Sequence, residues 1–439
     1  MPMPNCTADQ MGFGRLGRRI IEANFEGGAL SSDGGLMLLR QVDRRTGLSK
    51  AVADALHDPR NPFFITHELR DLVAQRLYAL CCGYEDLNDH ASLRNDPLMQ
   101  TAVGKPDELG SSPTLCRLEQ RANRADVVAL NKVLVEQFIA SQKRCPDELV
   151  LDVDASDIPL HGEQEGKQFH GYYDHYCYLP LYVFAGKAML ACVLRGSRID
   201  GAKHAAAVIK LLVTRLRQAW PGVRIIVRGD SGFCRQRLIR WCERKDVGYV
   251  IGVARNARLH EIVEGWERFM RHRFDEACIK QRLIREFRYR AASWNIERRV
   301  VTRLEFGTQG NNPRFVVTNL DRPAAELYDG LYCGRGEAEN RIKETQLDLF
   351  GTRASCKKFL ANWLRTLFSA LAYTLMQQLK EMALAGTELA HATSATIRVM
   401  LLKIGAAIVR NTRRIRILLA SHHPLRNIYF IAANALSSP

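Results

Sequence analysis

Between residues 148 and 253 the sequence permits few folds. Leu149-Val150-Leu151-Asp152-Val153-Asp154 alternates apolar residues with acids, the two-residue period of a strand whose carboxylates share one face. Residues 179–185 and 189–194 read as two more strands, joined by a tight turn at Gly186-Lys187. Residues 205–220 place Val208, Leu211, Leu212 and Leu216 on a helix. Residues 223–227 form an apolar strand that ends in Arg228-Gly229-Asp230; a helix over 235–245 and a strand over 248–253 follow. The order β-β-β-α-β-α-β predicts an α/β sheet, with one aspartate near the end of the first strand and another just beyond the fourth. Open α/β sheets place their chemistry at such strand ends.

The flanking segments read differently. Residues 29–145 are mostly helical, as Leu69, Leu72, Val73, Leu77 and Leu80 within 67–82 illustrate. Ser112-Pro113 has the form of an N-cap and first-turn proline, and the helix it opens is expected to run to about residue 142. Arg117, Arg121 and Arg124 form one stripe of that helix, which suits either a solvated face or a face turned to DNA. Residues 282–319 read as β-rich, with Arg288, Arg290 and Arg298 among arginines interleaved with Phe287, Tyr289 and Trp294. Such a mixture can grip phosphates and stack on bases, or simply form a charged hairpin beside a small core. Helix returns over 332–348 and, with a leucine stripe, over 357–382, before a basic appendage over 397–426. The expected division is a helical N-terminal, DNA-end-binding domain (1–145), a core in two parts (146–254 and 321–385), a β-rich basic insertion (255–320) and a basic C-terminal region (386–439).

Charge narrows the partner. The chain of 439 residues is 46% hydrophobic and 25% charged, which excludes collagen-like, disulfide-scaffold and wholly disordered classes. Its 63 Lys and Arg against 47 Asp and Glu give a net charge of +16, which favours a polyanion. The surplus is local: residues 255–320 carry 14 basic and 8 acidic groups, and 351–439 carry 12 and 2, whereas 321–350 carry 4 and 7. Acids between two basic segments suit metal chemistry on a phosphate better than mere coating of DNA. The twelve cysteines include no C-x-x-C pair and read as reduced thiols of the cytosol. Residues 1–10 lack the regions of a signal peptide, the sequon at Asn5 and Thr7 reads as chance, and the apolar stretches at 179–194 and 366–376 are too short or interrupted to span a bilayer. A soluble, intracellular protein without a membrane partner is expected. His161, His170, His175 and Cys177 have no common zinc spacing.

Asp154, Asp230 and Glu339 are the candidates for chemistry. Three converging carboxylates suit hard divalent cations such as Mg²⁺, and two ions can stabilise both the attacking and the leaving oxygen of an in-line phosphoryl displacement. Asp152 and Asp157 compete with Asp154 for the first role. On a regular helix Arg335, Glu339 and Lys343 fall at i, i+4 and i+8, with Tyr332 and Gln346 seven residues either side of the glutamate. That stripe serves a salt-bridge ladder or the positioning of a phosphate beside metals.

Tyr332-x2-Arg335-x3-Glu339, after the Arg228-Gly229-Asp230-Ser231-Gly232-Phe233 and Asp154-Ala155-Ser156-Asp157 segments, resembles the bacterial insertion-sequence transposases of the DDE type that carry a Y-x2-R-x3-E motif. The resemblance extends through Gly27 to Gly35, Gly83 to Asp86 and Leu93 to Asp96, and so covers most of the chain. It implies an RNase H-like core with a β-rich insertion before the glutamate, and cleavage and strand transfer of DNA that depend on two Mg²⁺ (or Mn²⁺) ions. It also implies an oligomer, expected to be a dimer, on double-stranded DNA comprising the element's terminal inverted repeats and a target, in a bacterial cytoplasm and on the nucleoid. By the same resemblance Asp154, Asp230 and Glu339 are the catalytic and metal-binding carboxylates, while Tyr332 and Arg335 contact DNA near the scissile phosphate. The wider pattern has a lysine where this chain has Gln346, leaving Lys343 as a candidate for that phosphate contact. A metal-dependent nuclease or resolvase without joining activity, and a domesticated DNA-binding protein, are the alternatives.

Overall fold

A computed structural model describes residues 10–437; residues 1–9, with the Asn5 sequon and nearly all of the segment tested for a signal peptide, lie outside them. The strands expected between 148 and 253 form the centre of a nine-stranded sheet, and we number its longer strands along the chain. They are β1 (Glu148–Ala155), β2 (Leu181–Ala185), β3 (Ala188–Val193), β4 (Arg224–Gly229), β5 (Gly248–Val253), β6 (Gln281–Tyr289), β7 (Arg298–Gly307) and β8 (Arg314–Thr318). Their order is β6-β7-β8-β5-β4-β1-β2-β3, with the short strand Gly310–Asn311 added to β7. β4 lies parallel to β1 and β5, and the other neighbours are antiparallel. Parallel neighbours need crossovers, supplied here by helices Ala205–Ala219 and Gln236–Arg244. The register sets Arg228 opposite Asp152 and Gly229 opposite Val153, so the ends of β1 and β4 emerge together.

Two expectations about the flanks change. Residues 255–320 are β-rich only from Gln281 onward, and their strands β6 to β8 extend the central sheet; Ala257–Ala277 is a 21-residue helix that buries Leu259, Val263 and Met270 against it. The single helix expected from 112 to 142 is two, Ser112–Gln120 and Arg124–Ser141. The break is a capping box: the Asn123 side chain accepts from the backbone of Ala125 and Asp126, and the Asp126 carboxylate accepts from the backbone of Asn123.

The basic C-terminal region is built into the body. Strand Ala406–Arg410 pairs with Ile415–Leu419 on one side and with Leu30–Ser31 on the other. The backbone of Gly34 donates to Ile404 O at 2.7 Å, and that of Gly35 to Leu402 O at 3.0 Å. A Cβ on Gly34 would come within 2.7 Å of the Ile404 carbonyl, which is why glycine stands at this crossing. Beside it the buried Asp33 accepts from Tyr84 Oη at 2.8 Å and pairs with Lys403 at 2.7 Å. Helix Phe359–Ala383 runs through the middle: one core joins it to helices Leu69–Cys82 and Arg124–Ser141 and to Tyr182, Phe184 and Met189 on the near face of the sheet. Among the described residues every cysteine is a free thiol, and no helix is long and apolar enough to cross a membrane.

Candidate active site

The three candidate acids come from three elements. Asp154 stands at the end of β1, with its carboxylate accepting from the backbone of Ala155 at 2.8 Å. Asp230 follows β4 and caps the short 3-10 turn Ser231–Phe233, accepting from Gly232 N at 2.9 Å. Glu339 lies on helix Gly336–Lys343. The Arg335 guanidinium reaches between two of them, 2.7 Å from Glu339 and 3.7 Å from Asp154. Tyr332 directs its hydroxyl onto Gly252 of β5, where a Cβ would lie 2.7 Å from Oη and 2.8 Å from Ser231 N. The tyrosine therefore rests against the turn that carries Asp230. Structure thus brings Asp154, Asp230, Glu339, Tyr332 and Arg335 into one place.

It also separates the three competing aspartates. Asp152, one residue from the end of β1's buried run, is spent inside the protein: Arg228 donates to both of its carboxylate oxygens, from Nε and, at 2.8 Å, from Nη2. Nη1 of the same arginine donates to Leu331 O, at the end of the helical segment bearing Tyr332. Gly334 leaves room for it, since a Cβ there would meet Nη1 at 2.5 Å. Asp157 is engaged by His175 at 2.8 Å. Only Asp154 is turned to Arg335.

Burial and neighbouring charge act together on Asp154. Burial, then the nearby charges of Asp230 and Glu339, push its carboxyl up to about 6, against the opposing Ala155 hydrogen bond and Arg335. On Arg335 burial acts to lower the pKa, and Glu339 and Asp154 outweigh it, so the guanidinium stays charged. Because folded Asp154 holds its proton more tightly than the unfolded chain, its contribution to stability is present below about pH 4 and is lost as pH rises through about 6. Asp154→Asn, neutral at every pH, is expected to raise the urea midpoint of metal-free protein at pH 8 and to leave it nearly unchanged at pH 4. Equal midpoint shifts at both pH values would contradict this account of the raised pKa.

The other expected site residues fall elsewhere. Wide π-type turns at Glu326–Tyr332 and Glu344–Asp348 flank the Glu339 helix and shift its phase. Gln346, expected to face DNA, is therefore corrected to a buried position, its amide donating to Asp157 O at 3.0 Å and accepting from Ser156 Oγ at 3.4 Å. Lys343 is exposed. Arg298 is corrected likewise: it is 3% exposed and forks onto Glu243 at 2.6 and 2.9 Å, with its plane over Trp294. Arg288 and Arg290 are exposed, Arg290 bonding Trp294 O at 3.3 Å. Arg117 and Arg121 line one groove with Arg60 and Lys358, although Arg121 also pairs with Asp58 at 3.1 Å. Sequence reasoning missed Arg228 as a structural cation; its apolar strand setting was the available signal. Among the described residues, no three His, Cys, Asp or Glu side chains stand close enough to hold a metal ion as they are.

The arrangement is thus a mixed sheet with acids at the ends of adjacent parallel strands and a glutamate on a helix beside them. The model of the family described as transposase DDE domain, group 1, matches residues 13–438, and the chain belongs to that family. No curated protein matches it. Among solved structures, the cryo-EM structure of the piggyBac transposase synaptic complex with hairpin DNA aligns over 93% of this chain and 81% of that one, at 9% identity and a TM-score of 0.43.

Proposed function

We propose that this protein is the transposase of a bacterial insertion sequence, which binds the terminal inverted repeats of its element and cleaves and joins DNA strands. The observation that carries the reading is the convergence of Asp154, Asp230 and Glu339 with the Arg335 guanidinium held between two of them. The strand order β3-β2-β1-β4-β5, with β1 flanked by one antiparallel and one parallel neighbour, supports an RNase H-like core. The carboxylates fit Mg²⁺ or Mn²⁺ in chemistry: they offer oxygen donors only, they repel one another, and a single arginine pairs with two of them. Two such ions, when bound, supply charge stabilisation for the attacking and leaving oxygens of the phosphodiester.

The protein's own groups do the rest. Asp154, Asp230 and Glu339 would hold the ions. Arg335, freed from its carboxylates, and Tyr332, seated on Gly252, orient the scissile phosphate between β1 and β4. Exposed Arg288, Arg290 and Lys343, and the groove with Arg117 and Arg121, track the DNA backbone. The residues 1–145 recognise the element ends, and the working form is a homo-oligomer, a dimer, because two ends must meet. Its place is the bacterial cytoplasm, on the nucleoid when bound.

The test uses purified protein, Mg²⁺, linear DNA carrying both flanks of the gene and an unrelated target plasmid. Cleavage at the flanks with joined products is expected. Cleavage without joining supports a nuclease or resolvase instead, and tight binding with neither reaction supports a domesticated DNA-binding protein.

A further inference from the structure

Gln346 takes no part in the chemistry above, yet its side chain joins the two segments that carry Asp154 and Glu339. It is 8% exposed and lies in the wide turn Glu344–Asp348, seven residues past the glutamate. Its amide donates to Asp157 O at 3.0 Å and accepts from Ser156 Oγ at 3.4 Å. Ser156 and Asp157 are the second and third residues beyond Asp154, where the chain has left β1. One neutral side chain thus grips, through a donor and an acceptor, the segment that leaves the first candidate acid.

Both ends of this link are anchored. The Glu344 carboxylate accepts from Ser394 N at 2.8 Å, from Ser394 Oγ at 2.7 Å and from Lys380 at 2.8 Å, the lysine belonging to helix Phe359–Ala383. Asp348 accepts from Ala395 N at 3.0 Å, and Gly351 N donates to Thr345 O at 3.0 Å. On the other side Ser156 N donates to Pro180 O at 3.3 Å, and His175 holds the Asp157 carboxylate at 2.8 Å. The turn is a fixed post, and the exit from β1 hangs on it.

Arg335 also spans the two acids, but as a charge pair, 2.7 Å from Glu339 and 3.7 Å from Asp154. That pairing has to open for the carboxylates to take a metal ion, whereas the Gln346 bonds lie outside them and stay closed. A lysine at this position could donate but not accept, and would bring a charge into a buried place. A glutamine can do both and stay neutral.

We propose that Gln346 is a positioning residue: its amide sets the separation of Asp154 and Glu339, and with it their affinity for a divalent ion. This rests on the reading of the acids as a metal-dependent, DNA-cutting site. The residue acts through the backbone of residues 156–157 and not by touching the ion.

The experiment uses the full-length protein and two readouts. One is Mn²⁺ binding without DNA, followed by loss of the free-ion EPR signal; the other is flank cleavage at increasing Mn²⁺. Gln346→Met keeps the length and removes both bonds. It is expected to weaken Mn²⁺ binding about tenfold or more, and to raise the Mn²⁺ needed for half-maximal cleavage by the same factor. Saturating Mn²⁺ should restore most of the parent rate. Ser156→Ala, which removes one bond, should give a smaller shift of the same kind and add nothing in the Gln346→Met background. A Gln346→Met protein that binds Mn²⁺ as tightly as the parent overturns the proposal. So does an equal loss of rate at every Mn²⁺ concentration, which marks Gln346 as a residue of the fold or of DNA contact. If the parent binds Mn²⁺, loses it in Asp154→Asn and cuts no flank, the transposase reading fails while the binding shift still supports the positioning role. A parent that binds no Mn²⁺ defeats both.

Discussion

Asp154→Asn, Asp230→Ala and Glu339→Gln are each expected to lower flank cleavage by roughly a thousandfold or more, equivalent to about 4 kcal/mol of lost transition-state stabilisation. Binding to the same DNA should be unchanged or tighter, because each substitution removes a negative charge that repels phosphate. The three need not behave alike without metal. Glu339→Gln releases Arg335 from its 2.7 Å partner, and Asp154→Asn removes the carboxyl already pushed up to about 6. Gel-based cleavage beside a binding titration measures both quantities. A Glu339→Gln variant that cuts as well as the parent would show that this glutamate is misassigned.

Arg228→Met should be the most damaging substitution outside the carboxylates. Arg228 and Asp152 are 8% and 1% exposed, so losing the guanidinium strands a buried carboxylate and deprives Leu331 O of its donor. Breaking such a pair from one side costs about 3–5 kcal/mol, read as a lower urea midpoint. Adding Asp152→Asn should recover part of the loss, since the uncompensated charge is gone. Arg228→Lys keeps a cation but cannot fork across Asp152 and reach Leu331 O together. It should fold, bind DNA and cut slowly, because the Tyr332 to Arg335 segment loses its tether. An unchanged urea midpoint in Arg228→Met would refute the clamp.

The central strands were legible because their signal is local: alternation in β1, apolar runs in β4 and β5, and helices between them with a clear stripe. Helix Ala257–Ala277 has an equally local signal in Leu259, Val263 and Met270 at helical spacing, but dense arginines and glutamates surround that sparse stripe. Contacts across long separations were not legible. Nothing near Arg298 reveals that its partner is Glu243, and nothing near Asp152 says that Arg228 will lie opposite it. Gln346 is buried because the wide turn Glu344–Asp348 breaks the regular 3.6-residue period that would carry it to the face of Glu339. The three carboxylates are candidates from their places at strand ends and on a helix, and the resemblance assigns their roles; geometry adds the reason why Asp154, and not Asp152 or Asp157, faces Arg335.

The seam between Leu30–Ser31 and Ala406–Arg410 bears on how the molecule is made. Synthesis delivers the catalytic strands long before residues 401–419, yet the helices at the front of the chain cannot finish their packing until that late hairpin arrives. A chain released early from the ribosome therefore carries both aspartates and the glutamate on an unfinished body. The order of synthesis thus ties completion of the front helices to a strand made about 250 residues after the first candidate acid.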